Sequence, residues 1–195
     1  MKRIITLLII LAIVFGIYWK FFHKSDKPSG PKQEALTIKS ADNAFDSSMQ
    51  FMMDNYYAFK DAYVKDDSVL IGKTSAEFSA ALKAINFKGI EADTAIIETA
   101  KTLVDSIEHM ANAVPKTVGM EEKRHSLQGI SDVLYDMVRT VKYNKDTIYQ
   151  IHCPMAFNSA GANWLSRDTM VVNPYFNPSE KMTDCGGVQD SYPNK

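Results

Sequence analysis

The 195-residue chain sets 22 Lys and Arg against 23 Asp and Glu, a formal net charge of −1, so it lacks the clustered positive charge with which nucleic-acid binders neutralise phosphates. Two cysteines are too few for a disulfide-built scaffold, and the fold must rest on apolar packing within one domain of ordinary size. Most of the ten methionines fall at helical core spacing.

Lys2 and Arg3 precede an unbroken apolar run from Ile4 to Trp19, which Phe21 and Phe22 extend past Lys20. With those aromatics the run reaches about 19 residues, roughly 28 Å of helix against a hydrocarbon core of about 30 Å. The residues from Tyr18 to His23 are all large, unlike a signal-peptidase site. Residues 1–23 are therefore expected to be a signal segment or, preferably, an uncleaved transmembrane anchor, meeting the inner membrane through residues 4–22. The rest of the chain would lie on the periplasmic side. Residues 24–38, with Pro28, Gly30 and Pro31 among charges, read as a flexible linker. Residues 39–195 are then a single domain.

Four helices follow from the period. Phe45, Met49, Met52, Tyr56, Phe59 and Tyr63 form one stripe behind Asp42, a suitable N-cap. Asp66, Asp67 and Ser68 interrupt it and open a second helix with the seam Ile71, Ser75, Phe78, Leu82 and Ile85, closed by Asn86 to Gly89. A third carries Ile96, Ala100, Leu103, Ile107, Met110 or Ala111, and Val114, and stops at Pro115. The fourth starts near Gly119 and carries Met120, Leu127, Ile130, Leu134, Met137 and Val141. Each is expected to be about 20–25 residues long, and the short connections predict an up-and-down four-helix bundle.

Beyond Asn144 the period changes. Thr147 to Ile151 and Met170 to Val172 read as two short strands, with a turn at Asn158 to Gly161. Mainly α, with a small C-terminal β-hairpin or irregular module over 146–190, is the expected fold class. Both cysteines lie in that module. His152 precedes Cys153, Met155 follows it by two residues, and Met182 stands three residues before Cys185. Two thiols, two thioethers and an imidazole make a soft donor set suited to Cu(I) or another thiophilic ion. His125 is about 160–180° round the fourth helix from Leu127 and Leu134, off the seam. It is either a solvated surface histidine or, if it faces the module, a further ligand. The same cysteines can equally form a disulfide closing a loop of about 33 residues, with the methionines as gap fillers and the module as a recognition surface. His-Glu-x-x-His, Gly-x-Ser-x-Gly, Cys-x-x-Cys and phosphate-loop motifs are absent, so no enzyme is expected.

Cys153-Pro154-Met155-Ala156, Gly161-Ala162-Asn163-Trp164-Leu165-Ser166, Asn173-Pro174-Tyr175-Phe176 and Met182 with Cys185-Gly186 together resemble the signature of a bacterial domain family of unknown function, number 3347. Tyr57-Ala58-Phe59-Lys60-Asp61-Ala62, Asp66-Asp67, Arg124-His125 and Ser131-Asp132 resemble its helical part, so the likeness runs from about Ala44 to Val188. Asn177-Pro178-Ser179 lengthens the path to Met182 relative to the family pattern. That domain also occurs fused to periplasmic adaptor subunits of heavy-metal and copper efflux pumps. The resemblance implies an exported accessory of metal homeostasis, with an efflux complex or another envelope protein as partner.

Overall fold

The computed structural model describes Phe15, Tyr18 and residues 35–193. The chain divides into two units, Met1–Ala35 and Leu36–Lys195. Phe15 and Tyr18 are helical; the rest of the expected anchor, 1–23, and of the linker up to residue 34 lies outside the described residues. Among the described residues no helix is long and apolar enough to cross a membrane.

In the second unit the four expected helices are present. Asp42 caps α1 (Asn43–Val64), its carboxylate accepting the Phe45 N–H at 2.8 Å. Asp67 caps α2 (Ser68–Lys83) by accepting from Val69 and Leu70. α3 spans Thr94–Ala113 and tightens into a 3₁₀ turn, Val114–Lys116, where Pro115 removes the next donor. α4 (Met120–Thr140) follows Gly119, whose φ of +87° suits glycine.

The helices run antiparallel in sequence order. Along α2 and α3 the Ser75 hydroxyl donates to the Ala111 carbonyl at 2.5 Å, and Lys83 pairs with Glu108 at 2.9 Å. Phe59 of α1 stacks on Phe78 of α2, and the Tyr63 hydroxyl of α1 reaches the Lys123 carbonyl of α4. The stripe residues of α1, α2 and α4 are buried, apart from Met120 at its start, which is only partly so. On α3 the expected seam holds at Ile96, Ala100, Ile107 and Val114, and of the pair Met110 or Ala111 it is Ala111 that is buried; it departs at one place, where Val104 is buried and Leu103 only partly so. α2 is also shorter than expected, ending at Lys83. The chain then makes a 3₁₀ turn, Phe87–Gly89, and a strand, β2 (Ile90–Ala92), which pairs antiparallel with β1 (Ile38–Ala41). The expected linker thus gives up its last residue, Ile38, to a strand, and the Thr37 N–H is bound to the Asp93 carboxylate at 2.6 Å. Strands of four and three residues with no turn signature leave no periodic trace, which is why this pair was missed.

The C-terminal hairpin is a three-stranded antiparallel sheet of order β4-β3-β5, from β3 (Ile148–Cys153), β4 (Ala162–Ser166) and β5 (Gly187–Tyr192). The first expected strand and the turn hold. The returning strand is 162–166, not 170–172: Met170 is exposed and pairs with no strand, whereas Trp164 and Leu165 are wholly buried. β4 lies against α4 and presents its outer edge to tyrosines from elsewhere in the fold. The Leu165 N–H donates to the Tyr56 oxygen at 3.0 Å, and the Tyr175 hydroxyl donates to the Asn163 carbonyl. Ser131 gives its own proton to the Leu127 carbonyl at 2.7 Å, so the 2.7 Å contact between Tyr56 and Ser131 must have tyrosine as donor. One hydroxyl therefore joins α1, α4 and β4. At the opposite side of the sheet β5 pairs with no further strand among the described residues.

Candidate functional site

β3 ends on Cys153, wholly buried, which is joined to Cys185 by a disulfide with Cα atoms 5.6 Å apart. Neither cysteine is free. The segment returning to Cys185 is held by Asn173, itself buried. Its amide nitrogen donates to the Cys185 carbonyl at 2.7 Å, its amide oxygen accepts the Tyr175 N–H at 2.8 Å, and its backbone N–H binds the Thr183 carbonyl. Asn173-Pro174-Tyr175 is thus a clamp that sets the second cysteine opposite the first. Gly186 must be glycine, because a Cβ there would come within 2.8 Å of the Trp164 ring.

Between Cys153 and β4 the chain turns through three consecutive non-glycine residues with left-handed backbone, Phe157, Asn158 and Ser159, at φ +50°, +56° and +72°. Gly161, at φ +81°, closes the turn beneath His152, whose ring would lie 2.8 Å from any Cβ there. On the strand, neighbouring side chains point to opposite faces, so His152 is not beside the Cys153 sulfur. It faces its cross-strand partner Asn163. The Asn163 amide nitrogen donates to the Asp132 carboxylate at 2.9 Å, which orients its oxygen toward His152 Nδ1 at 2.7 Å. Nδ1 must then carry a proton, and Nε2 is the unprotonated nitrogen of the neutral ring. Burial pushes the Asp132 carboxyl above the usual carboxylate range, against the opposing donation from Asn163.

The left-handed turn swings Phe157 onto α4, where it stacks on His125 with ring centroids 3.8 Å apart and planes 17° from parallel. Phe157 also touches Tyr175, which in turn packs edge-on to Trp164. His125 is exposed on α4, as expected of a surface histidine, and its ring also faces the module through this stack. Below the aromatic ladder, Arg124 binds Asp66 at 2.7 Å, and the other Asp66 oxygen accepts from the Asn177 amide at 2.6 Å. Asp66 sits at φ +54° in the α1–α2 turn, so this carboxylate links that turn to α4 and to the C-terminal segment. Around these residues lies a cavity of about 260 Å³ whose rim includes Met155, 53% exposed, with Phe157 and Phe176.

Of the six sequence-selected residues, then, Cys153 and Cys185 meet directly. His125 and Met155 border the Phe157 surface. His152 belongs to the Asn163–Asp132 chain, and Met182 lies in the turn whose carbonyl accepts the Cys185 N–H. Among the described residues no group of three or more His, Cys, Asp and Glu side chains is arranged to hold a metal. Asn173, Asp66 and Phe157 were not singled out as site residues, although Asn173-Pro174 and Asp66-Asp67 are visible turn signals.

Residues 52–146 match the sequence model of a family described as a protein of unknown function, DUF3347. Over this stretch the chain belongs to that family. The DUF3347 match runs from within α1 through α4 and ends two residues before β3, so it covers the helices and not the module that carries the two cysteines. It is narrower than the resemblance read from the sequence motifs. No curated protein and no solved structure matches the chain.

Proposed function

We propose that this DUF3347 chain is an exported accessory domain, stapled by its disulfide, whose C-terminal module offers a recognition surface to another protein of the cell envelope, a heavy-metal efflux complex being the first candidate. The reading rests on the Cys153–Cys185 bond, buried at its Cys153 end and backed by the Asn173 clamp. Such a bridge persists in oxidising compartments and is rare in reducing ones. The apolar run 4–22 supplies a route out of the cytoplasm and a tether to the inner membrane. The surface offered would be the exposed Met155 and the Phe157–His125 stack. The test is alkylation of the protein in its native compartment, before and after a dithiol reductant. No thiol should react before reduction and two after it; two free thiols beforehand refute the staple.

One observation favours a second reading, soft-metal and in particular Cu(I) binding. The two sulfurs share one place in the fold, so adding two electrons and two protons from a dithiol would leave a pair of adjacent thiols. Met155 and Met182 lie between the two cysteines in sequence, each within three residues of one of them. The donor set exists only in the reduced state, since a disulfide offers no thiolate. Cu(I) uptake by reduced protein against a colorimetric chelator, lost in Cys153→Ser and weakened in Met182→Leu, supports it; equal uptake by all three refutes it.

A further inference from the structure

A second cavity, of about 420 Å³, opens on the other side of β4, between α1 and the start of β3. Its size is within the range of small-molecule sites, about 300–1,000 Å³. The chemistry of its wall is one-sided. Tyr57, Tyr143 and Tyr149 line it together with the exposed carboxylates Asp54 and Asp146, and Arg167 is its one cationic residue. Arg167 holds its guanidinium 4.6 Å from the centre of the Tyr57 ring and 3.2 Å from Asp54. Both partners of that ion pair are more than half exposed, at 60% and 56%, so solvent screens it and little holds the arginine in place.

Tyr57 is only 7% exposed, and what it does expose lines the cavity. Burial pushes its pKa up, with Asp146 adding to the effect, so it remains a neutral phenol with a proton to give and lone pairs to offer. The Tyr143 hydroxyl donates to Asp146 at 3.2 Å and fixes that carboxylate at the wall. Aromatic faces beside carboxylates are the arrangement that receives a desolvated organic cation.

We propose that this cavity binds a small organic cation bearing a guanidinium or alkylammonium head, for which Arg167 is the intramolecular stand-in. The incoming head takes the Tyr57 face and the two carboxylates, and the screened arginine swings out into solvent. The probe is agmatine, titrated calorimetrically into the full chain in a non-ionic maltoside detergent at low ionic strength, with neutral butylurea as the control. Agmatine binds saturably at one site and butylurea does not. Arg167→Ala removes the competitor and tightens binding by about two- to thirtyfold, the range spanned by cation–π energies. Asp146→Asn weakens binding several-fold while the melting profile stays that of a folded chain. Absence of saturable agmatine binding to the wild type up to about 10 mM overturns the proposal. So does equal affinity for agmatine and butylurea, or an Asp146→Asn variant that binds agmatine as well as the wild type.

Discussion

Replacing Tyr56 by Phe removes one oxygen and changes nothing else in shape. In the structure that oxygen accepts the Leu165 N–H and donates to Ser131, between three elements that are far apart in sequence. Leu165 is wholly buried, so in the variant its N–H has neither water nor another acceptor. An orphaned buried donor costs about 1–3 kcal/mol, and Ser131 loses only an acceptor interaction, since its own proton already goes to Leu127. The expected loss is therefore about 2–3 kcal/mol, or about 5–10 °C in Tm for a domain of this size. Urea unfolding of residues 36–195, with the disulfide intact, should show a lower midpoint at unchanged m-value. Amide exchange should show Leu165 losing protection ahead of its β3 neighbours. A Ser131→Ala change combined with Tyr56→Phe should cost less than the sum of the two, because both act on one hydrogen-bonded unit. A stability loss below about 0.5 kcal/mol, or an unchanged Leu165 exchange rate, would refute the assignment of that hydroxyl as the seal of β4.

Asn173→Ala strips the Cys185 carbonyl and the Tyr175 N–H of their partners and should lower stability by about 2–4 kcal/mol in a denaturant melt of the oxidised protein. Asp66→Ala leaves the mostly buried Arg124 without its carboxylate and frees Asn177; with solvent screening discounted, about 1–3 kcal/mol should be lost, and proteolysis should begin in the 173–186 segment. Gly161→Ala meets both a left-handed φ and the His152 ring, so its cost should exceed the roughly 1 kcal/mol of the backbone alone, and the His152 ring resonances should move. Asp132 has a folded-state pKa raised above 3.8 by burial. Its contribution to stability is complete below that value and is lost as the pH rises through the raised one. Asp132→Asn cannot ionise yet still accepts from Asn163, so relative to the wild type it should gain stability at neutral pH, an advantage that shrinks as the pH falls toward 3.8.

The helical part was legible because its burial repeats every three or four residues. Phe45 to Tyr63 and Leu127 to Val141 are one-sided stripes, and each buries as spaced. On α3 the small residues Ala100 and Ala111 weaken the contrast between faces, and the seam was read one residue early at Leu103. The module was harder, because strand order depends on partners distant in sequence. Trp164-Leu165 could be recognised as apolar, yet nothing local says that Ala162 pairs with Cys153 while Gly187 takes the other side of His152. The pairing of Cys153 with Cys185 was visible as a choice between two chemistries, and the fold supplies the geometry of one. His125 shows the same limit from the other side. Its angle on α4 was correct, but its ring partner depends on three successive left-handed residues, which no periodicity announces.

The two rims of the C-terminal sheet are unequal, and growth by strand addition is therefore one-directional. A visiting segment that approached Asn163 and Leu165 would find the backbone there already spoken for by phenols. Among the described residues no further strand lies beside Gly187–Tyr192, so a fourth ribbon, from a foreign chain or from another copy, would be annexed there. A second copy added in this way through the same rim would give a closed pair, since each sheet has a single receptive margin.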